Sequence, residues 1–315
     1  MQRVLIQNTI SLSLKKMIGT KANKILCIVF IVTILTTQAQ TDYKADVHLV
    51  LLAGQSNMVG AGNYDELSSV DKKRIENISD RVFLSYNGKA LKPLSYFNNK
   101  PSKKYNFTKR FGPELFIGLT LAEANPNQKY VLVKRALGGT SLYGAWSPEW
   151  SAEKSNAVEM DAQRKKIKLY ELHLKDIHKT LEQLKSQGKS FKIIGLTWMQ
   201  GEKDTNSELA AKNYRENLEN LINHYRKDLN TSKLPFIIGQ VNVLPRKYKP
   251  GVDFIRNAQI EVGSLDERNT MIKTSKESPW NDFPKHLDNT HYNTIGQKRL
   301  GEAFAKSLIE KIKLN

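Results

Sequence analysis

The sequence predicts an α/β protein whose mainly parallel sheet is covered by helices on both faces. Short apolar, β-branched runs recur along the chain, amphipathic segments with three- and four-residue spacing separate them, and the two kinds alternate as βαβ units require. The first run, residues 46–53 (D-V-H-L-V-L-L-A), closes on Gly54 and suits a strand buried on both faces. Residues 130–133, 192–198, 235–241 and 270–274 read as further interior strands. Helical periodicity covers 113–124, 161–187, 208–229, 254–265 and 294–312. Sheets of this kind bind ligands beyond the carboxyl ends of their strands, so the residues directly after each strand are where chemistry is expected. Two polar, aromatic-bearing stretches, 62–112 and 143–160, read as insertions that shape a substrate cleft. The chain contains no repeat and no low-complexity linker, so residues 41–315 read as one domain, within the range a single α/β domain fills.

Residues 1–39 read as a signal peptide and are set apart from the fold. Lys15, Lys16, Lys21 and Lys24 precede an apolar run at 25–35, which Thr37-Gln38-Ala39 follows. That run has 11 residues, whereas a helix needs about 20 to cross a bilayer. A secreted or periplasmic protein is expected, with no stable membrane insertion after cleavage; an uncleaved anchor is the alternative. The single cysteine, Cys27, lies inside the run, so the remainder has no disulfide, thiolate metal site or cysteine nucleophile. Its place near the start of the run argues against lipid attachment.

The formal charge is +18, and removing 1–39 leaves 44 basic against 31 acidic residues, or +13. Such a field favours polyanions. The lysines are nevertheless spread along amphipathic helices, as in Arg164-Lys165-Lys166, and no nucleic-acid motif is present. Solvated helix faces are the expected meaning, with an acidic glycan as a compatible partner and nucleic acid excluded.

Four segments at expected strand ends carry chemistry. In Gly54-Gln55-Ser56-Asn57-Met58, Ser56 emerges as a helix begins, where backbone N–H groups and the helix dipole favour a developing negative charge. A helix N-cap is the ordinary use of such a serine, and the segment lacks the second glycine of the G-x-S-x-G elbow. A serine nucleophile needs a base. His48 lies in a strand and His173, His178 and His224 on lysine-rich helices, which leaves His286 and His291. In Asp288-Asn289-Thr290-His291 the spacing lets one turn place the carboxylate against the imidazole, setting its tautomer and stabilising the imidazolium. In Trp198-Met199-Gln200-Gly201-Glu202-Lys203-Asp204 the amide of Gln200 is a candidate oxyanion donor, with a plain turn residue as the alternative. In Arg135-Ala136-Leu137-Gly138-Gly139-Thr140-Ser141 the two glycines allow close approach of backbone to a ligand, and phosphate cradling is an equal rival for that segment alone.

Together these four segments, in this order, resemble the signature blocks of the SGNH or GDSL-like hydrolases, within them the sialate O-acetylesterase-like carbohydrate esterases related to acetylxylan esterases. The matching blocks span residues 54–291. The resemblance implies a three-layer, flavodoxin-like α/β/α sandwich, no metal or other cofactor, and a Ser56, Asp288, His291 triad. It also implies an oxyanion hole of the Ser56 N–H, a glycine N–H (Gly139, with Gly138 as the alternative) and the Gln200 side chain, with Glu202 and Asp204 in support. The expected activity is removal of O-acetyl groups from a sugar or polysaccharide through an acetyl-serine intermediate. Two rivals remain: a metal-dependent hydrolase using His286, Asp288 and His291, and a non-catalytic glycan-binding protein that stacks Trp150 or Trp280 on sugars.

Overall fold

The apolar runs assemble into one sheet whose centre is the first of them. The structure, a computed structural model, describes residues 45–313; the expected signal peptide and Cys27 lie outside the described residues. In chain order the elements are β1 (Val47–Gly54), α1 (Ser56–Val59), β2 (Gly62–Asn63), α2 (Ser69–Glu76), β3 (Val82–Tyr86), β4 (Lys92–Pro93), β5 (Phe97–Asn98), β6 (Lys109–Phe111), α3 (Glu114–Ala124) and β7 (Lys129–Ala136). There follow α4 (Ala152–Val158), α5 (Ala162–Lys166), α6 (Leu169–Ser186), β8 (Phe191–Met199), α7 (Glu208–Lys212), α8 (Tyr214–Asp228), β9 (Phe236–Gly239), α9 (Gly251–Ser264), β10 (Asn269–Ile272) and α10 (Thr294–Lys313).

The main sheet has the order β10-β9-β8-β1-β7-β3-β4, parallel throughout except for the antiparallel edge strand β4. The chain winds from β1 outward to β3, returns to β7, then crosses to β8 and runs outward again, so the switch point lies at β1. Alternation along β1 sends Leu49, Leu51 and Ala53 into a core shared with α6, α8 and α9, while Val50 and Leu52 enter a second core with α3 and α10. The result is the expected three-layer α/β/α sandwich. Gly54 pairs in register with Ala136 on one side and Met199 on the other, so the strands that precede the serine, glycine and glutamine segments end level. None of the described helices is long and apolar enough to cross a membrane.

Three expectations need correction. The stretch 62–112 is more than an insertion, because it supplies β3 to the main sheet beside a small sheet ordered β2-β6-β5. The apolar run of β3, Val82-Phe83-Leu84, is broken at Ser85 after three residues, which makes it a weaker strand signal than the longer interior runs. The helix expected over 161–187 is two: Leu169 N–H donates to Ala145 O at 2.7 Å, which draws the chain out of the helix at Ile167 and Lys168. The helix expected over 208–229 is likewise divided, at Asn213.

Candidate active site

Gly54 lets β1 and β8 meet closely before the chain turns into α1, since a Cβ there would lie 2.1 Å from Met199 O. Ser56 opens α1, and its neighbours on either side are locked to one carboxylate. Asn57 Nδ2 donates to Glu202 Oε1 at 2.6 Å, and Gln55 Nε2 donates to Glu202 Oε2. Asn57 also reaches across the rim to the C-terminal loop, donating to Thr290 O at 3.1 Å and accepting from Tyr292 N–H at 3.1 Å. Thr290 and Tyr292 flank His291. One amide therefore holds both sides of the histidine against the residue that follows Ser56.

The structure brings Ser56, His291 and Asp288 into a single line. Ser56 Oγ lies 3.0 Å from His291 Nε2, and His291 Nδ1 lies 2.7 Å from Asp288 Oδ2. The other carboxylate oxygen of Asp288 accepts the backbone N–H groups of Thr290 and His291, each at 2.9 Å, so one turn fixes both the carboxylate and the imidazole. Burial opposes the charge on Asp288, but those N–H groups, the His291 ring and Lys104 outweigh it and hold the carboxyl well below its usual range. Burial pushes the His291 imidazole below its usual value; Asp288 works against that shift and Lys104 with it. Asp288 thus stays ionised and His291 neutral at pH 7, the states in which Nε2 can accept the serine proton.

Opposite Ser56, the Gly138–Gly139 turn closes in, and a Cβ on Gly138 would lie 3.3 Å from the Ser56 Cβ. Gly139 has φ +72°, open to glycine at little cost, and Arg164 fixes the turn by donating Nε and an Nη to Gly138 O at 3.1 and 3.0 Å. Among the described residues, the backbone N–H groups of Ser56 and Gly139 donate to no acceptor. They remain available to a ligand.

Gln200 does not take the expected place. It is fully buried, lies outside the cleft lining, and its amide nitrogen donates to Thr140 O at 3.0 Å and Asp204 Oδ2 at 2.5 Å. Both amide protons are used, so none is left for an oxyanion. Asp204 also accepts the N–H groups of Leu142 and Tyr143, while Glu159 accepts those of Ser141 and Ala145. These carboxylates brace the segment that follows the glycine turn. Burial pushes Asp204 up to about 7 against the hydrogen bonds that favour its ionised form.

His286 also stands apart, its Nε2 directed to Ala61 O at 2.9 Å, and among the described residues no three His, Cys, Asp or Glu side chains are grouped to hold a metal ion. Neither expected sugar-stacking tryptophan lines the cleft; Trp280 is 3% exposed with Lys285 over its ring, and Lys168 lies over Trp150. The cleft itself has a volume of about 900 Å³ and runs past Ser56, His291, Gly139, Glu202, Arg164 and Arg246. The stretch 143–160 forms part of its wall through Ala157, Val158 and Met160. Sequence reasoning missed Lys104, Arg164 and the bridging role of Asn57. Asn57 stood inside the serine block, whereas neither cation carries a local signal.

The α/β/α sandwich carries Ser56, His291 and Asp288 hydrogen-bonded together at its rim. The chain belongs to the family described as carbohydrate esterase, sialic acid-specific acetylesterase, whose model matches residues 46–310. It is a carbohydrate esterase by family. Among solved structures, an Arabidopsis thaliana protein aligns with TM-score 0.60 at 20% identity, covering 84% of this chain and 98% of that one. NanS aligns with TM-score 0.60 at 15% identity, covering 86% and 99%. A carbohydrate acetylesterase from Xanthomonas citri aligns with TM-score 0.55 at 16% identity, covering 86% of this chain and 57% of that one. At such identities the likeness is one of fold. No curated protein sequence matches the chain.

Proposed function

We propose that the protein is a serine O-acetylesterase acting on a carbohydrate, with Ser56 as nucleophile, His291 as general base and acid, and Asp288 as the group that orients and stabilises the imidazole. The observation that carries this reading is the unbroken hydrogen-bonded line from Ser56 Oγ through His291 to Asp288 at the edge of an open cleft. His291 Nε2 takes the proton as Ser56 Oγ bonds to the acetyl carbonyl carbon, and the oxyanion forms against the N–H groups of Ser56 and Gly139. Collapse breaks the bond to the sugar oxygen, which receives the proton from His291. Water then attacks the acetyl-serine, assisted by the same imidazole, and acetate leaves.

The cleft wall supports a further narrowing, to a sugar that bears a carboxylate. Arg164, Lys203, Arg246 and Lys247 line it, and the one acidic residue among the lining, Glu202, is held by Gln55 and Asn57. Low-dielectric walls lined by one sign of charge concentrate ligands of the other. The family description, which specifies sialic acid, agrees with that chemistry. The N-terminal leader pattern supports export, so the substrate is met outside the cytoplasm.

Acetate release from O-acetylated neutral and carboxylate-bearing sugars tests the substrate, and Ser56→Ala tests the mechanism. The variant should lose at least about 10³-fold in kcat/KM and should no longer be labelled by a fluorophosphonate. Turnover of p-nitrophenyl acetate by Ser56→Ala at the wild-type rate would refute the assignment.

A further inference from the structure

Strands β5 and β6 pair antiparallel, Phe97 with Arg110 and Asn98 with Lys109, and the loop between them reaches the acid and base of the triad. The loop is built rather than loose. Asn99 N–H donates to Thr108 O and its side-chain amide to Phe107 O, both at 2.7 Å, while Ser102 and Tyr105 exchange two hydrogen bonds across the turn. Arg110 lays its guanidinium 4.7 Å from the Tyr105 ring centre and donates Nε to Gly60 O at 2.6 Å, just beyond α1. The Tyr105 ring stands edge-on to His291 at 6.2 Å. This scaffold puts Lys104 Nζ 3.0 Å from Asp288 Oδ2 and 3.1 Å from His291 Nδ1.

Nδ1 must carry the proton it donates to Asp288 if Nε2 is to accept from Ser56, so it has no lone pair for Lys104. The ammonium therefore bonds to the carboxylate and sits against the imidazole as a like charge whenever that ring gains a second proton. We propose that Lys104 is a positioning residue of the triad, anchoring the Asp288 carboxylate and disfavouring the imidazolium form of resting His291. The proposal rests on the triad reading above. The other ionisable groups acting on the pair are Glu202 from the loop after β8, Lys285 on the histidine's own loop, and the Tyr105 phenol; burial and Asp288 push that phenol up to about 12, so it is uncharged. Burial opposes a positive His291 most strongly; of the charged side chains acting on the ring, Asp288 and Glu202 favour that form and Lys104 opposes it.

The test compares pH profiles of kcat/KM for full-length wild type, Lys104→Met and Lys104→Arg, with the His291 ring titrated in parallel by NMR and assigned from the resonance lost in His291→Gln. In Lys104→Met the acid limb and the His291 titration should both move to higher pH. Lys104→Arg should restore the wild-type limb. Because the Lys104 side chain is half exposed, added salt should move the wild-type limb upward and leave Lys104→Met nearly still. A Lys104→Met limb that coincides with wild type, or moves to lower pH, overturns the proposal. If Ser56→Ala is inactive and Lys104→Met titrates as wild type, only the role of Lys104 falls; if Ser56→Ala retains full activity, the triad reading falls and takes the proposal with it.

Discussion

Asn57 has no acid–base chemistry to offer the reaction, yet its amide ties together the two halves of the site. It bonds Glu202 on one side and the two residues around His291 on the other, and it adjoins Ser56. A misplacement of about 1 Å in such a geometry can cost about 10²-fold in rate. Asn57→Ala should therefore lower kcat by about that factor with little change in KM, measured on a small acetyl ester, while fluorophosphonate still labels Ser56 slowly. At this scale the three side chains named from the sequence are hydrogen-bonded together, while the polar groups around them were read less well. Ser56, His291 and Asp288 could be named because few side chains do their chemistry and because Asp288 and His291 share one turn. Gln200 was misplaced because spacing along a chain does not reveal which acceptors a buried amide faces, here Thr140 O and Asp204.

A four-residue helix such as α1 has little stability of its own, since helix nucleation is costly. Its end is held by a buried ion pair. Lys134 on β7 donates to Val59 O at 3.0 Å and to Glu114 Oε2 at 2.5 Å, and neither charged side chain is exposed. Glu114 in turn accepts Gly112 N–H at 3.0 Å. Removing one partner of such a pair leaves a buried charge, which costs about 3–5 kcal/mol. Glu114→Ala should lose that much stability in guanidinium unfolding, and Glu114→Leu combined with Lys134→Met should lose less than Glu114→Ala. Strand and helix identities were legible because their apolar periods differ, while the breaks at Ile167 and Asn213 were not. The first break follows from Leu169 N–H bonding to Ala145 O, a partner 24 positions earlier.

Across the molecule, the two cores on either face of the sheet also contain polar groups that burial keeps neutral. His173 on α6 is fully buried, with Nδ1 2.8 Å from Tyr225 Oη and Nε2 3.2 Å from Val133 O. Burial pushes it down to about 3. An unfolded chain takes up that proton near pH 6.5, so between these values the unfolded state binds more protons and stability falls as pH falls. From this group the loss approaches about 1.4 kcal/mol per pH unit over that window. Unfolding midpoints at pH 7 and pH 4.5 should differ less in His173→Gln than in wild type; equal differences would show that this histidine does not contribute.

The alternation of apolar strands with amphipathic helices and the candidate residues Ser56, Asp288 and His291 were set locally by apolar period, turn chemistry and residue type, and could be read along the chain, whereas β3 and the helix breaks could not. The meeting of Ser56 with His291, 235 positions away, was decided by the level register of β1, β7 and β8 and by Asn57 reaching across the rim. The same holds for Lys104, delivered by a hairpin whose sequence reads as a polar insertion, and for the burial of Gln200. Hydrophobic periodicity records which side of an element faces inward, but hydrogen bonds between distant loops depend on where the packed sheet puts them.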